Sequence, residues 1–321
     1  MVAAQHSTAQ HSTAQHSTAQ HSTAQHSFKR SLLRATALGL FSLVSLSAEK
    51  NGAFIEGGFQ YSNFERSNKT SGANALPFFN GFTGVATGSS GKFNGNLFGA
   101  DIQFGYKQFF GQKKHWGLRY YGFFSGQGGD YPYEYQVFNN TTGTSSTKKS
   151  SQPSANLFYG VGIDALYNFY EKNNQAYGVF VGVMIGGSSW LEGGGKANGQ
   201  CRYIGMNTST GEFTNQCVSM NEAYANMASY VNTNKYASKA LQASVSPTFV
   251  QFIFNIGFRA NLTKHQGFEV GIRIPTIDDP YFKMKTLQQI QQIYGNVAKG
   301  AQGTMAFRRN IAVFANYVYN F

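Results

Sequence analysis

The chain has 321 residues and a formal net charge of +12, yet only 12% of its residues are charged, while aromatics reach 16% and Gly numbers 37 against 6 Pro. So many aromatics exclude a disordered chain, and so few charges exclude the composition of an ordinary soluble enzyme, about a quarter charged. The basic residues are scattered, the longest cluster being Lys113-Lys114-His115, too short for a nucleic-acid face, so no nucleic-acid partner is expected.

Residues 4–27 repeat Ala-Gln-His-Ser-Thr and set His6, His11, His16, His21 and His26 five apart. Lys29, Arg30 and Arg34 then precede an uncharged stretch from Ala35 to Ala48 that ends in small residues before Glu49. A basic flank, a short apolar run and a small-residue end make a secretory signal, too short to cross a bilayer as a helix. The alternative, a buried helix of a soluble domain, leaves the basic flank unexplained. The expected organisation is repeat plus signal peptide over 1–48, cleavage between Ala48 and Glu49, and one domain over 49–321. The histidine tract would leave with the signal rather than bind metal.

From there the chain alternates between apolar and polar residues with period two, the sign of strands with two different faces. Eight runs do so: 53–63, 96–109, 116–126, 155–169, 176–187, 247–262, 267–275 and 305–321. The fourth is the cleanest, with Leu157, Tyr159, Val161, Ile163, Ala165, Tyr167 and Phe169 set against Gly160, Gly162, Asp164 and Asn168. Short gaps (around 111–115, 170–175 and 263–266) alternate with long ones (64–95, 127–154, 188–246 and 276–304). An even number of antiparallel strands with short turns at one end and long loops at the other predicts an all-β fold: an eight-stranded transmembrane β-barrel of a bacterial outer membrane. A secreted β-sandwich would also alternate, but Greek-key connections do not alternate short and long. Aromatics at the strand ends (Tyr167, Phe169, Tyr177, Tyr317, Tyr319, Phe321) sit where an interfacial girdle would.

An eight-stranded interior is just wide enough for side chains to fill. Glu56, Asp101, Asp164 and Glu269 fall on the polar face, as do Arg119, Arg259, Arg273 and Arg308. Four acids and four bases fit a paired lumen network; an ion path constricted by charge is the other reading. The longest gap, 188–246, holds Cys201 and Cys217, which fit one disulfide or two free thiols. Residues 221–243 have helical composition, and 283–299 predict an amphipathic helix with Leu287, Ile290, Ile293 and Tyr294 on one side. Catalysis, cofactors and metals find no support: His115 and His265 lie in short turns, and no nucleophile elbow or phosphate loop is present.

The stretch Ala48-Glu49-Lys50-Asn51-Gly52-Ala53-Phe54, the region from about Ser246 and the closing block Asn310 to Phe321 resemble the Helicobacter outer membrane protein family, of the Hop and Hor type. The alternating aromatics Tyr317, Tyr319 and final Phe321 also look like the signal read by the barrel-insertion machinery. The resemblance implies outer-membrane lipid around the barrel and a role in adhesion to host glycans or receptors, as in some members, or a porin, as in others. The chain lacks the insert of several hundred residues that large adhesins of the family carry after the first strand. Three functions are expected in turn: host adhesion through the loops, a narrow porin, or a structural scaffold.

Overall fold

Alternation of small, aromatic and β-branched residues makes strands that pair on both sides and leave two unlike faces. The eight wall strands are β1 (Gly52–Ser71), β2 (Lys92–Phe110), β3 (Trp116–Asn139), β4 (Thr144–Lys172), β5 (Gln175–Glu192), β6 (Thr248–Asn261), β7 (Gln266–Pro275) and β8 (Gln302–Asn320). Each pairs antiparallel with the next, and β1 pairs with β8 from Phe54↔Asn320 to Ser71↔Gln302, closing the ring. The computed structural model describes residues 51–71, 91–111, 115–139, 144–172, 174–197, 199–292 and 295–321. The repeat, the signal segment and the expected cut between Ala48 and Glu49 lie outside the described residues.

The burial pattern is inverted relative to a soluble protein. Phe59, Phe98, Phe104, Phe124, Val181, Phe258 and Val313 point outward and are 48–64% exposed, whereas Gln60, Gln103, Arg119, Asp164, Asn255, Arg273 and Asn316 point inward and are buried. An apolar band facing out and a polar interior are what lipid outside a closed wall demands, because closure leaves no backbone group without a partner. A β-sandwich would bury the phenylalanines. No described helix is long and apolar enough to cross a membrane.

The alternating stretches mark the strands but understate their length. The connection expected over 127–154 is a hairpin, with β3 and β4 paired from Trp116↔Tyr167 to Asn139↔Thr144. Gly126, Gly128, Gly129 and Pro132 interrupt the alternation there, although backbone pairing continues through them. Helix α1 (Met220–Thr233) begins at Ser219, whose side chain accepts the Glu222 N–H. Met220, Ala223, Tyr224, Met227, Ala228 and Val231 form its buried stripe. It ends sooner than composition suggested: a short helix, Ala237–Ala240, and a strand, Leu241–Val245, take up the rest of 221–243.

The helix expected over 283–299 does not form. Asp279–Thr286 is a strand on β8, and Ile290–Gln292 pairs with Gly295–Val297. Phe282 and Met284 are buried while Lys283 and Lys285 are exposed, a period of two that i,i+4 spacing hides in so short a run. Successive halves of β8 are covered by β7 and by the 279–286 strand. Gln251 holds the break between them: its Oε1 accepts the N–H groups of Thr276 (3.2 Å) and Ile277 (3.0 Å), and its Nε2 donates to Ile277 O (2.9 Å).

Candidate functional site

The lumen and the end bearing the long connections are the two places where chemistry could reside. In the lumen, Arg119 on β3 is fully buried and forks between three carboxylates. Its Nη2 lies 2.6 Å from Asp164 Oδ2 on β4, and its Nη1 lies 3.2 Å from Glu56 Oε2 on β1 and 2.6 Å from Glu269 Oε2 on β7. β3 and β7 stand four places apart in a ring of eight, so the Arg119–Glu269 pair spans the barrel. The guanidinium also lies over the Phe180 ring, 4.8 Å from its centroid. Arg273 on β7 reaches Asp101 on β2 at 2.6 Å, and Arg259 Nε stands 3.8 Å from Glu269 Oε1. Tyr121 donates to Asp164 Oδ1 (3.1 Å), and Asn316 donates to Glu56 Oε1 (3.2 Å) and Asp101 Oδ2 (3.3 Å). Desolvating so many charges is tolerable only when each meets opposite charge and hydrogen-bond donors, as here.

Seven of the eight expected lumen residues therefore meet inside the barrel. Arg308 does not: it is half exposed and lies 3.5 Å from Asp278 outside the wall. A register shift, with Asn63 opposite Ile311 but Phe64 opposite Arg309, changes the phase of β8. Arg309 takes the inward place, its Nη1 donating to Gln127 Oε1 at 3.3 Å. Lys107, also inward, lies 3.9 Å from Glu269 and donates to Asn320 Oδ1 at 3.0 Å. Its place on the polar face was visible in the alternation; that of Arg309 was not. Two inward glycines make room for neighbours in this layer: a Cβ on Gly162 would meet the Tyr121 ring and one on Gly182 would meet Asp164.

Above this layer aromatic and aliphatic side chains fill the interior, around a second set of buried charges, Arg66, Glu192, Arg202 and Asp279. Phe64, Tyr131, Trp190, Tyr281 and Phe307 pack with the buried stripe of α1, with Trp190–Phe307 centroids 4.9 Å apart and Phe64–Trp190 5.2 Å. Two asparagines fix α1 to strand backbones. Asn221 accepts the Glu192 N–H (2.6 Å) and donates to Trp190 O (3.0 Å). Asn232 donates to Ala243 O (2.7 Å) and accepts the Ala243 N–H (3.1 Å). Neither was singled out in the sequence, because an Asn within a helix has no spacing code for a distant backbone. Beside α1, Cys201 and Cys217 form a disulfide with Cα atoms 5.4 Å apart, between hairpins that pair Lys196 with Cys201 and Ile204 with Cys217. Tyr317, Tyr319 and Phe321 point outward, near the opposite end. Among the described residues no cluster of His, Cys, Asp and Glu could hold a metal.

No curated protein matches the chain. Among solved structures it is similar to the outer membrane protein OprG from Pseudomonas aeruginosa, at 12% identity and a TM-score of 0.38 over 86% of this chain and 99% of that one. The outer membrane protease OmpT from Escherichia coli matches at 8% and 0.37, over 87% and 100%. Ail, the attachment invasion locus protein of Yersinia pestis, matches at 9% and 0.24, over 83% and 98%. A family model, Helicobacter outer membrane protein, matches residues 101–321. With its closed ring, lipid-facing aromatics and this match over more than half its length, the chain belongs to the Helicobacter outer membrane protein family and is a β-barrel of the bacterial outer membrane.

Proposed function

We propose that this outer membrane protein is a non-enzymatic surface recognition protein, with the 188–246 connection as its binding element for a host-cell glycan or receptor and the barrel as its anchor. The observation that carries this reading is the Arg119–Glu269 contact of 2.6 Å across the lumen, beneath the packed layer that holds α1. Ions would have to break a buried charge network to pass, which weighs against the narrow porin. The connection, in contrast, is folded and held: a disulfide closes one part, and two asparagines tie α1 to the wall. A surface ordered in advance loses less conformational freedom on binding than a flexible loop. It also displays Phe213 and Tyr236, 54% and 77% exposed, and aromatics are the side chains most often found anchoring partners.

The test uses the full chain in fluorescent phospholipid vesicles applied to host epithelial cells. Vesicles carrying the protein should adhere, and Phe213→Ser with Tyr236→Ser should reduce adhesion about tenfold or more while the barrel stays folded. Adhesion no greater than that of empty vesicles would leave only a scaffold.

A further inference from the structure

We infer that one side of the outer wall, over β1, β8 and the 279–286 strand, binds the phosphate groups of the glycolipid that forms the outer leaflet around the barrel. The cations there are in register across the sheet. Lys69 on β1 pairs with Thr304 on β8, which pairs in turn with Lys283, and Lys283 with Ser244. The next row is Ser71, Gln302, Lys285 and Gln242. Lys69, Lys283 and Lys285 are exposed, and buried Phe282 and Met284 fix the outward phase of the two lysines. Arg308 and Lys92 stand nearer the apolar band on the same side.

Height on the wall selects the partner. The lipid-facing band ends at Ile311 on β8, and Thr304 lies seven residues further on. At about 3.3 Å per residue and a tilt of about 40°, that is roughly 18 Å above the band. A layer of cations this deep, from Arg308 up to Lys69 and Lys283, fits a phosphorylated saccharide headgroup, which is thicker than that of a phospholipid. On the far side of the wall Asp130 is exposed and Lys149 pairs with Glu134 at 3.4 Å, and what distinguishes the proposed side is the second row of cations, Lys283 and Lys285.

Charge and shape agree with height. Asp278 is shared by Lys69 (3.4 Å) and Arg308 (3.5 Å), and Glu65 takes Lys92 (3.1 Å). Among the described residues no carboxylate lies within ion-pair distance of Lys283 or Lys285, two like charges one repeat apart on the same face. Between them runs a groove of about 220 Å³ edged by Gln242, Ser244 and Gln302, which adds amide and hydroxyl donors suited to phosphate and sugar oxygens. A basic patch at a membrane surface gains about fivefold in affinity per cation from an anionic headgroup.

The full chain, in detergent micelles, is titrated with phosphorylated lipid A and with enzymatically dephosphorylated lipid A, and bound glycolipid is counted by native mass spectrometry. The phosphorylated form should bind at least tenfold more tightly. Lys283→Gln with Lys285→Gln should weaken it about 25-fold, and Lys148→Gln with Lys149→Gln on the other side should not. Gln302→Lys should tighten it about fivefold, which keeps the test open should the double glutamine variant fail to fold. Equal affinity for the two glycolipids, or equal weakening by the two double variants, would overturn the proposal.

Discussion

Arg119 sets the terms at the scale of single residues. Three carboxylates on three strands meet one guanidinium; Glu269 keeps Lys107 and Arg259 nearby, but loss of Arg119 leaves Glu56 and Asp164 buried without their cation. Arg119→Ala should destabilise the barrel by about 3–5 kcal/mol, as broken buried pairs do, read from urea unfolding in lipid vesicles. Arg308→Gln should change the same measurement by less than about 1 kcal/mol, because its pair with Asp278 is half exposed and screened. A destabilisation by Arg308→Gln equal to that of Arg119→Ala would place Arg308 back inside. The seven acids and arginines around Arg119 were legible because alternation assigns faces without knowledge of the neighbours; buried Arg66, Glu192 and Asp279 lie beyond the alternating runs. Arg309 was not legible: a register shift leaves no mark in the sequence, and beyond it inside and outside trade places.

Among the elements, those built on local pattern were readable and those built on distant backbone were not. The wall strands announce themselves by period two, and α1 by its stripe and its Ser219 start. The β3–β4 hairpin hid behind Gly126, Gly128, Gly129 and Pro132, because pairing with a partner strand overrides weak local propensity. The 279–286 strand hid for the same reason: its pairing with the distant β8, from Asp279↔Phe307 to Lys285↔Gln302, leaves no local mark, while Leu287, Ile290, Ile293 and Tyr294 beyond it suggested a helix. Two expected outcomes belong here. Asn232→Ala removes both hydrogen bonds to Ala243 and should speed amide exchange over 220–233 and 241–245, by the equivalent of about 1–3 kcal/mol. Cys201→Ser with Cys217→Ser should loosen 199–217 by very roughly 3 kcal/mol on the chain-entropy model, while amides of β1 to β8 exchange as before. Uniform acceleration through the wall would contradict the separation of cap and barrel.

For the whole molecule, the closed ring accounts for the composition that first looked odd. Aromatics are abundant because one face of every strand meets lipid, and charges are few because the other face meets a narrow lumen in which each buried charge is costly. Unheated protein should migrate faster than boiled protein on detergent gels, as a barrel that resists detergent does. The mature chain should begin at Glu49, leaving the histidine repeat behind; N-terminal sequencing of the membrane-inserted form reads this directly, and a start at Met1 would reopen metal binding by that tract. The proposal that the lumen is sealed at Arg119 and capped by α1 is tested most directly by the conductance of the full chain in planar lipid bilayers. A sealed barrel gives no stable single-channel steps. Steady ohmic steps, altered in size when Arg119 or Asp101 is replaced, would contradict it and make the protein a pore.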